Sequence, residues 1–238
     1  MNIAIIFAGG TGQRMNSKTC PKQFLELHEK PILVYTLEQF QKHKSVDKII
    51  VVILKEWKEY TRDLIEKYNL DKVCEIVDGG KTGQESIFNG VAKAQELFQE
   101  KDILIIHDGV RPLIDEDTIS KAVKMAINKG SSITVSPAIE TLILKNDTGM
   151  VDEVIPRNKC QFAKAPQCFY LKDLFTAHQL AINERKKDFI DSASLMKYYG
   201  YPLYTVEGKP ENIKITTPSD FYIFKAIIDA RENSQIFG

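Results

Sequence analysis

The stretch Ala8-Gly9-Gly10-Thr11-Gly12-Gln13-Arg14-Met15, followed by Lys18, Pro21, Lys22 and Gln23, carries the residue types that can cradle a phosphate. Gly9, Gly10 and Gly12 let successive backbone amides converge on a ligand and form an anion-binding concavity. Arg14 and Lys22 add fixed positive charge. When a nucleoside triphosphate is attacked at its α-phosphorus, charge grows on the non-bridging and leaving oxygens. Cations set there stabilise the transition state more than the ground state. The plainer alternative is a glycine turn flanked by two solvated cations. A dinucleotide fingerprint fits less well, because Met15 stands where its third glycine belongs. Gly80-Lys81-Thr82 imitates the end of a Walker A loop, but Glu75 occupies the place of its first glycine.

A second constellation is His107-Asp108-Gly109-Val110-Arg111-Pro112. At the end of a strand, Asp108 can hold a divalent metal or a ribose hydroxyl, and Arg111 can clamp a phosphate through two hydrogen bonds. The same pair could instead cap a loop. His107 has no cysteine or second histidine nearby and reads as structural. The segment from Gly80 to Ser86 opens a helix, whose free amides and partial positive charge suit an anion or a well-capped core helix equally. Lys214, between Ile213 and Ile215, reads as a strand residue that faces either solvent or a ligand. No Ser-His-Asp or Cys-His arrangement is evident. Cys20, Cys74, Cys160 and Cys168 form no Cys-x-x-Cys pair and point to neither zinc nor disulfides.

The elements that must position these residues follow from the hydropathy pattern. The chain has 238 residues, 43% hydrophobic and 27% charged, which describes a globular protein and excludes a disordered one. Its 32 basic residues balance 32 acidic ones, so a general nucleic-acid binder is not expected. The apolar start, Met1 to Phe7, is too short for a signal core, and no run approaches a bilayer span. A cytoplasmic protein without membrane contact is expected. Short β-branched runs at 2–7, 48–53, 73–77, 103–107 and 133–135 predict strands covered on both faces. They alternate with helical patterns at 31–41, 57–68, 86–98 and 115–129. The fold class expected is α/β: a mostly parallel sheet between helices, with ligands beyond the strands' carboxyl ends. From 137 to 167 the rhythm changes to a hairpin around Lys145-Asn146-Asp147-Thr148-Gly149, read as a protruding arm of one domain spanning 1–238. Helices at 171–183 and 191–199, a strand at 203–206 and a helix after Pro218 complete the pattern.

Taken together, Ala-Gly-Gly-x-Gly-x-Arg-Met with Pro21-Lys22-Gln23 resembles the family of 2-C-methyl-D-erythritol 4-phosphate and ribitol-5-phosphate cytidylyltransferases. The resemblance continues through Asp78-Gly79-Gly80, Ser86 to Gly90, His107 to Pro112, Ala165-Pro166-Gln167, Asp191-Ser192-Ala193 and Asn212 to Thr216, in order and over essentially the whole chain. It implies a three-layer Rossmann-like nucleotidyltransferase fold with a β-hairpin dimerisation arm, and transfer of CMP from CTP to a polyol phosphate with Mg2+. Phe7, Ala8, Gly9, Gly10, Thr11, Gly12, Gly80, Lys81, Ser86 and Asp108 would bind the nucleotide, Asp108 also holding the metal. Arg14, Lys22, Arg157 and Lys214 would be catalytic. Arg111, Thr141, Arg157, Asp191 and Lys214 would bind the acceptor, Thr141 and Arg157 reaching a neighbouring subunit's site in a homodimer.

Two departures from the resemblance stand out. Relatives usually carry arginine where Gly83 stands, and Thr-Pro-Gln where this chain has Ala165-Pro166-Gln167. The stretch from Val52 to Thr61 and the context of Ile155-Pro156-Arg157 look more like the ribitol-5-phosphate branch, with 2-C-methyl-D-erythritol 4-phosphate the second acceptor. An inactive nucleotide-binding protein and a glycosyltransferase are the alternatives of other classes.

Overall fold

A computed structural model describes residues 1–10 and 20–237, with side chains through residue 233. The strands are β1 (Asn2–Ala8), β2 (Glu26–Leu27), β3 (Lys30–Pro31), β4 (Lys48–Ile53), β5 (Val73–Asp78), β6 (Ile103–Asp108), β7 (Ser131–Pro137), β8 (Leu142–Lys145), β9 (Val151–Ile155), β10 (Gln161–Tyr170) and β11 (Thr205–Glu207). The helices are α1 (Ile32–Lys42), α2 (Lys58–Lys67), α3 (Gly83–Leu97), α4 (Glu116–Lys129), α5 (Leu171–Asn183), α6 (Ser192–Tyr198) and α7 (Pro218–Phe237).

Seven strands form one sheet in the order β11-β7-β10-β6-β1-β4-β5. Only β10 runs against the rest, antiparallel to β6 and β7. The chain leaves β1 for β4 and β5 on one side, then returns to place β6 on the other. That reversal opens a crevice at the carboxyl ends of β1 and β6, the usual ligand position in such sheets.

Strand alternation builds the three layers. Ala4 and Ile6 pack on one face with Leu33, Leu37 and Phe40 of α1 and Ile119 of α4. Ile3 and Ile5 pack on the other with Ile87 and Val91 of α3 and Leu174 of α5. Gly90 lets α3 approach closely, since a Cβ there would lie 2.6 Å from Ile5 Cγ2. A third cluster joins Phe224 of α7 to Leu27, Ile32, Leu113 and Ile215.

The predicted strands and helices appear with ends displaced by a few residues, except the strand read around Lys214, where the chain is irregular. The largest displacement matters for the site: α3 starts at Gly83, not Ser86, because Thr82 caps it by accepting from the Glu85 amide. The expectation that every strand is buried on both faces is corrected at β5, which forms the sheet edge and is only partly covered. The segment 137–167 also needs correction. Only β8 and β9 form a separate hairpin, whereas Gln161–Tyr170 is a long central strand. Pro166 hides that strand in the sequence because proline cannot donate to a ladder. It is tolerated because pairing with β7 is interrupted between Ala163 and Gln167. No described helix is long and apolar enough to cross a membrane.

Candidate active site

Beyond the carboxyl ends of β1, β4, β5 and β6 lies a cavity of about 730 Å³. The end of β1 lines it with Phe7, Ala8, Gly9 and Gly10, and the loop before α3 lines it with Gly80, Lys81 and Thr82. These two loops touch. A Cβ on Gly9 would sit 2.9 Å from Ser86 Oγ and 3.3 Å from Gly79 Cα, so only glycine permits the approach. Among the described residues nothing crowds a Cβ at Gly10.

Lys22 reaches this cavity from a single 3-10 turn, Lys22–Phe24. The turn is stapled from both sides. Gln23, buried, donates through Nε2 to the carbonyl oxygens of Ala8 at 2.6 Å and Gly10 at 3.3 Å. Phe24 stacks on Trp57 with ring centroids 4.6 Å apart. Gln23 was visible in the Pro-Lys-Gln motif, yet nothing local in the sequence shows that its amide ties Lys22 to the glycine loop.

Ser86 reaches the cavity wall but works chiefly on the loop. Its hydroxyl accepts from the Gly80 amide at 3.0 Å and donates to the Thr82 carbonyl at 2.9 Å. The Lys81 amide is likewise occupied, donating to Glu85 Oε2 at 2.7 Å. The opening of α3 therefore offers an anion fewer free amides than its sequence promises.

Asp108, at the end of β6, is the acid of the cavity. Lys214 Nζ donates to its Oδ1 at 2.5 Å, and Arg111 Nε donates to its Oδ2 at 2.7 Å. Burial alone would push this carboxyl up. The charges of Lys214 and Arg111 outweigh it and hold the group down at about 2, so it is ionised at any working pH. Lys214 does not belong to a strand. Its segment is irregular, anchored by the Ile215 amide on the Val110 carbonyl at 2.9 Å and by Ile215 in the α7 cluster. Solvent-facing strand geometry is thus corrected: the ammonium turns inward to Asp108 and lies 6.0 Å from the Phe7 ring centroid.

A smaller cavity of about 240 Å³ adjoins the first and shares Phe7, Gly83, Asp108 and Lys214 with it. Its remaining walls include Arg111, Lys164, Ala165, Gln167 and Asp191. Of the two sequence readings of Arg111, the loop cap is the one seen in the structure. Arg111 lines the cavity, and its guanidinium caps the loop, donating to Asp108 and, through Nη1, to the Asn212 carbonyl at 3.0 Å. Asp191 is the N-cap of α6, with Oδ1 accepting from the Ser194 amide and Oδ2 from Gln167 Nε2, each at 2.8 Å. His107 points away from both cavities, buried against Phe40, with Nε2 3.2 Å from the Arg111 carbonyl.

Thr141 and Arg157 are exposed and line neither cavity of their own chain. Arg157 Nη1 donates to the Ile139 carbonyl at 3.0 Å. Thr11, Gly12 and Arg14 lie outside the described residues. Sequence reasoning missed Gln23, Lys164, Thr216 and the Asn212 carbonyl. Of these Gln23, Asn212 and Thr216 stood in quoted motifs, and Lys164 did not.

Two adjoining cavities at a strand-order reversal, one walled by a glycine loop and both edged by cations, define a nucleotidyltransferase-class α/β protein. Comparison with known proteins narrows the class. The family model described as IspD, 2-C-methyl-D-erythritol 4-phosphate cytidylyltransferase, matches residues 2–230, and the chain belongs to that family. Within it, the chain is 49% identical over all 238 residues to a ribitol-5-phosphate cytidylyltransferase of Vibrio parahaemolyticus, covering all of that protein. It is 50% identical, again over the full length of both, to one of Streptococcus agalactiae. A 2-C-methyl-D-erythritol 4-phosphate cytidylyltransferase of Clostridium botulinum is 35% identical, over 96% of this chain and 97% of its own. Among solved structures, 4-diphosphocytidyl-2C-methyl-D-erythritol synthase of Anaerococcus prevotii superposes with a TM-score of 0.81 at 26% identity, covering 96% of each chain.

Proposed function

We propose that the chain transfers CMP from CTP to D-ribitol 5-phosphate, releasing pyrophosphate and forming CDP-ribitol. The observation that carries the reaction type is the pair of cavities meeting at Asp108 and Lys214. The larger takes the nucleotide, the smaller the polyol, and the acceptor phosphate lies at the junction. The choice of ribitol rests on full-length relatives near 50% identity, against 35% for the methylerythritol enzymes.

In this reading an oxygen of the acceptor phosphate attacks the α-phosphorus in line, the bond to the bridging oxygen breaks, and pyrophosphate leaves. The acceptor phosphate is already largely ionised at neutral pH, so no general base is required. The protein supplies position and charge. Lys22 faces the triphosphate, a role that the family resemblance extends to Arg14, while Lys214, aimed by Asp108, draws the acceptor phosphate to the α-phosphorus. Asp108 also suits Mg2+, which typically takes one or two carboxylates together with substrate phosphates, and the ionised side chain keeps lone pairs beyond its two ion pairs. Bound there, the cation would neutralise charge on the phosphates.

The test is pyrophosphate release from CTP with a panel of polyol phosphates. Highest turnover efficiency with ribitol 5-phosphate supports the assignment, a preference for 2-C-methyl-D-erythritol 4-phosphate replaces it with the second branch, and no release with any acceptor refutes it. Ala165 is buried in the wall of the smaller cavity. Ala165→Thr adds a methyl and a hydroxyl there and is expected to change the ratio of turnover efficiencies between the two acceptors. An unmoved ratio would place the acceptor elsewhere.

A homodimer follows from the same reading. The β8–β9 hairpin pairs only with itself and leaves Ile143, Val151 and Val154 more than half exposed. A two-stranded hairpin is marginal in water unless covered. If a partner subunit covers it, Thr141 and Arg157 complete the partner's site. Inactive Lys22→Ala chains mixed with inactive Arg157→Ala chains should then recover about a quarter of the wild-type sites, because half of randomly paired dimers are mixed and each holds one intact site. No recovery after demonstrated subunit exchange would assign Arg157 to its own chain or to no site.

A further inference from the structure

We propose that Lys164 selects the acceptor by donating to a hydroxyl of its polyol chain, favouring a fully hydroxylated chain over one with a methyl branch. This rests on the reading that the smaller cavity holds the acceptor. In a regular strand successive side chains point to opposite faces. Yet Ala163, Lys164 and Ala165 all line the same cavity. The pairing of β10 with β7 lapses between Ala163 and Gln167, and this irregularity re-aims Lys164 into a space that alternation would deny it.

The cations of this cavity are not equivalent. Lys214 and Arg111 are both paired to Asp108, and Arg111 donates in addition to the Asn212 carbonyl. Both also sit at or beside the junction where phosphate is expected. Lys164 lies in the part of the wall that the larger cavity does not share. Its Nζ donates to the Pro210 carbonyl at 2.8 Å, which steers the ammonium while engaging one of its three protons. Burial lowers its pKa, with the charge of Arg111 adding to the effect and that of Glu211 opposing it, so the group is partly stripped of water. A partly desolvated donor is costly to leave unpaired.

Ribitol 5-phosphate presents a hydroxyl on every carbon not bearing the phosphate. In 2-C-methyl-D-erythritol 4-phosphate one carbon carries a methyl group as well. Against an ammonium that methyl group satisfies no donor and excludes the water that could.

The experiment is to measure kcat and KM for both acceptors with the wild type, Lys164→Leu and Lys164→Arg, with CTP affinity measured on the same proteins to report an intact fold. Lys164→Leu should lower the preference for ribitol 5-phosphate roughly 10- to 100-fold, the scale of one charged hydrogen bond, mainly through KM. Lys164→Arg keeps a charged donor and should retain most of the preference. An equal loss for both acceptors, or an unchanged ratio in the leucine variant, overturns the proposal. If Lys164→Leu no longer binds CTP, the arginine variant decides: a ratio collapsed toward one overturns it, a ratio kept supports it. Wild type inactive with either acceptor would instead refute the cytidylyltransferase reading itself, which separates the two failures.

Discussion

Lys22→Ala is expected to lower turnover about 10²- to 10³-fold while changing CTP affinity little. The expected loss, about 2.7 to 4 kcal/mol, is that of a fixed donor aimed at charge which appears only in the transition state. Lys22 is well placed for that role because it does not have to be ordered during the reaction. Gln23 and Phe24 already hold its turn against the end of β1 and Trp57. Steady-state kinetics together with equilibrium CTP binding check the prediction. A rise in KM at unchanged kcat would make Lys22 a uniform binding residue. The same geometry makes Gln23 a positioning residue whose loss should act through Lys22.

Acidification should destabilise the fold well before its carboxylates protonate. Burial pulls His107 down to about 4, against an opposing effect from Asp108, and burial pulls His178 down to about 4 as well. Both are neutral in the folded state, and His178 Nε2 and His107 Nδ1 have no hydrogen-bond partner among the described residues. Unfolded histidines titrate near 6.5. Their contribution is thus complete above about pH 6.5 and is lost as pH falls toward 4, at up to roughly 1.4 kcal/mol per pH unit for each residue. Asp108, held at about 2, acts later: its contribution is present above about pH 4 and is lost as pH falls through 2. Denaturant titrations at pH 7, 6, 5 and 4 should show the first fall. His178→Phe, at a site already beside Phe88, should remove about half of its slope. An identical slope in that variant would show that His178 is protonated in the folded protein or contributes nothing.

Much of this protein is determined locally and can be read along the chain. The parallel strands announce themselves because burial on both faces demands unbroken apolar runs such as Ile3 to Ile6 and Ile49 to Ile53. The glycine loop after β1 is equally legible as a place of close backbone approach, and in the structure Gly9 meets Gly79 with no room for a side chain. Asp108 and Lys214 could be named from motifs. Their pairing could not, for 106 positions separate them in sequence (214 − 108) and only the irregular segment after β11 brings them together.

The tertiary structure alone decided the features that depend on two distant segments meeting. Strand β10 was hidden because Pro166 contradicts a strand in isolation, whereas a lapse in pairing with β7 makes it harmless. Lys164 was invisible for the same reason, as its direction follows from that lapse rather than from any property of lysine. Arg111 could be a clamp or a cap in the sequence, and the cap is completed only by the Asn212 carbonyl, 101 positions away along the chain. Side-chain type sets what chemistry is available, but direction and pairing are set by contacts between elements, and those have no local signature.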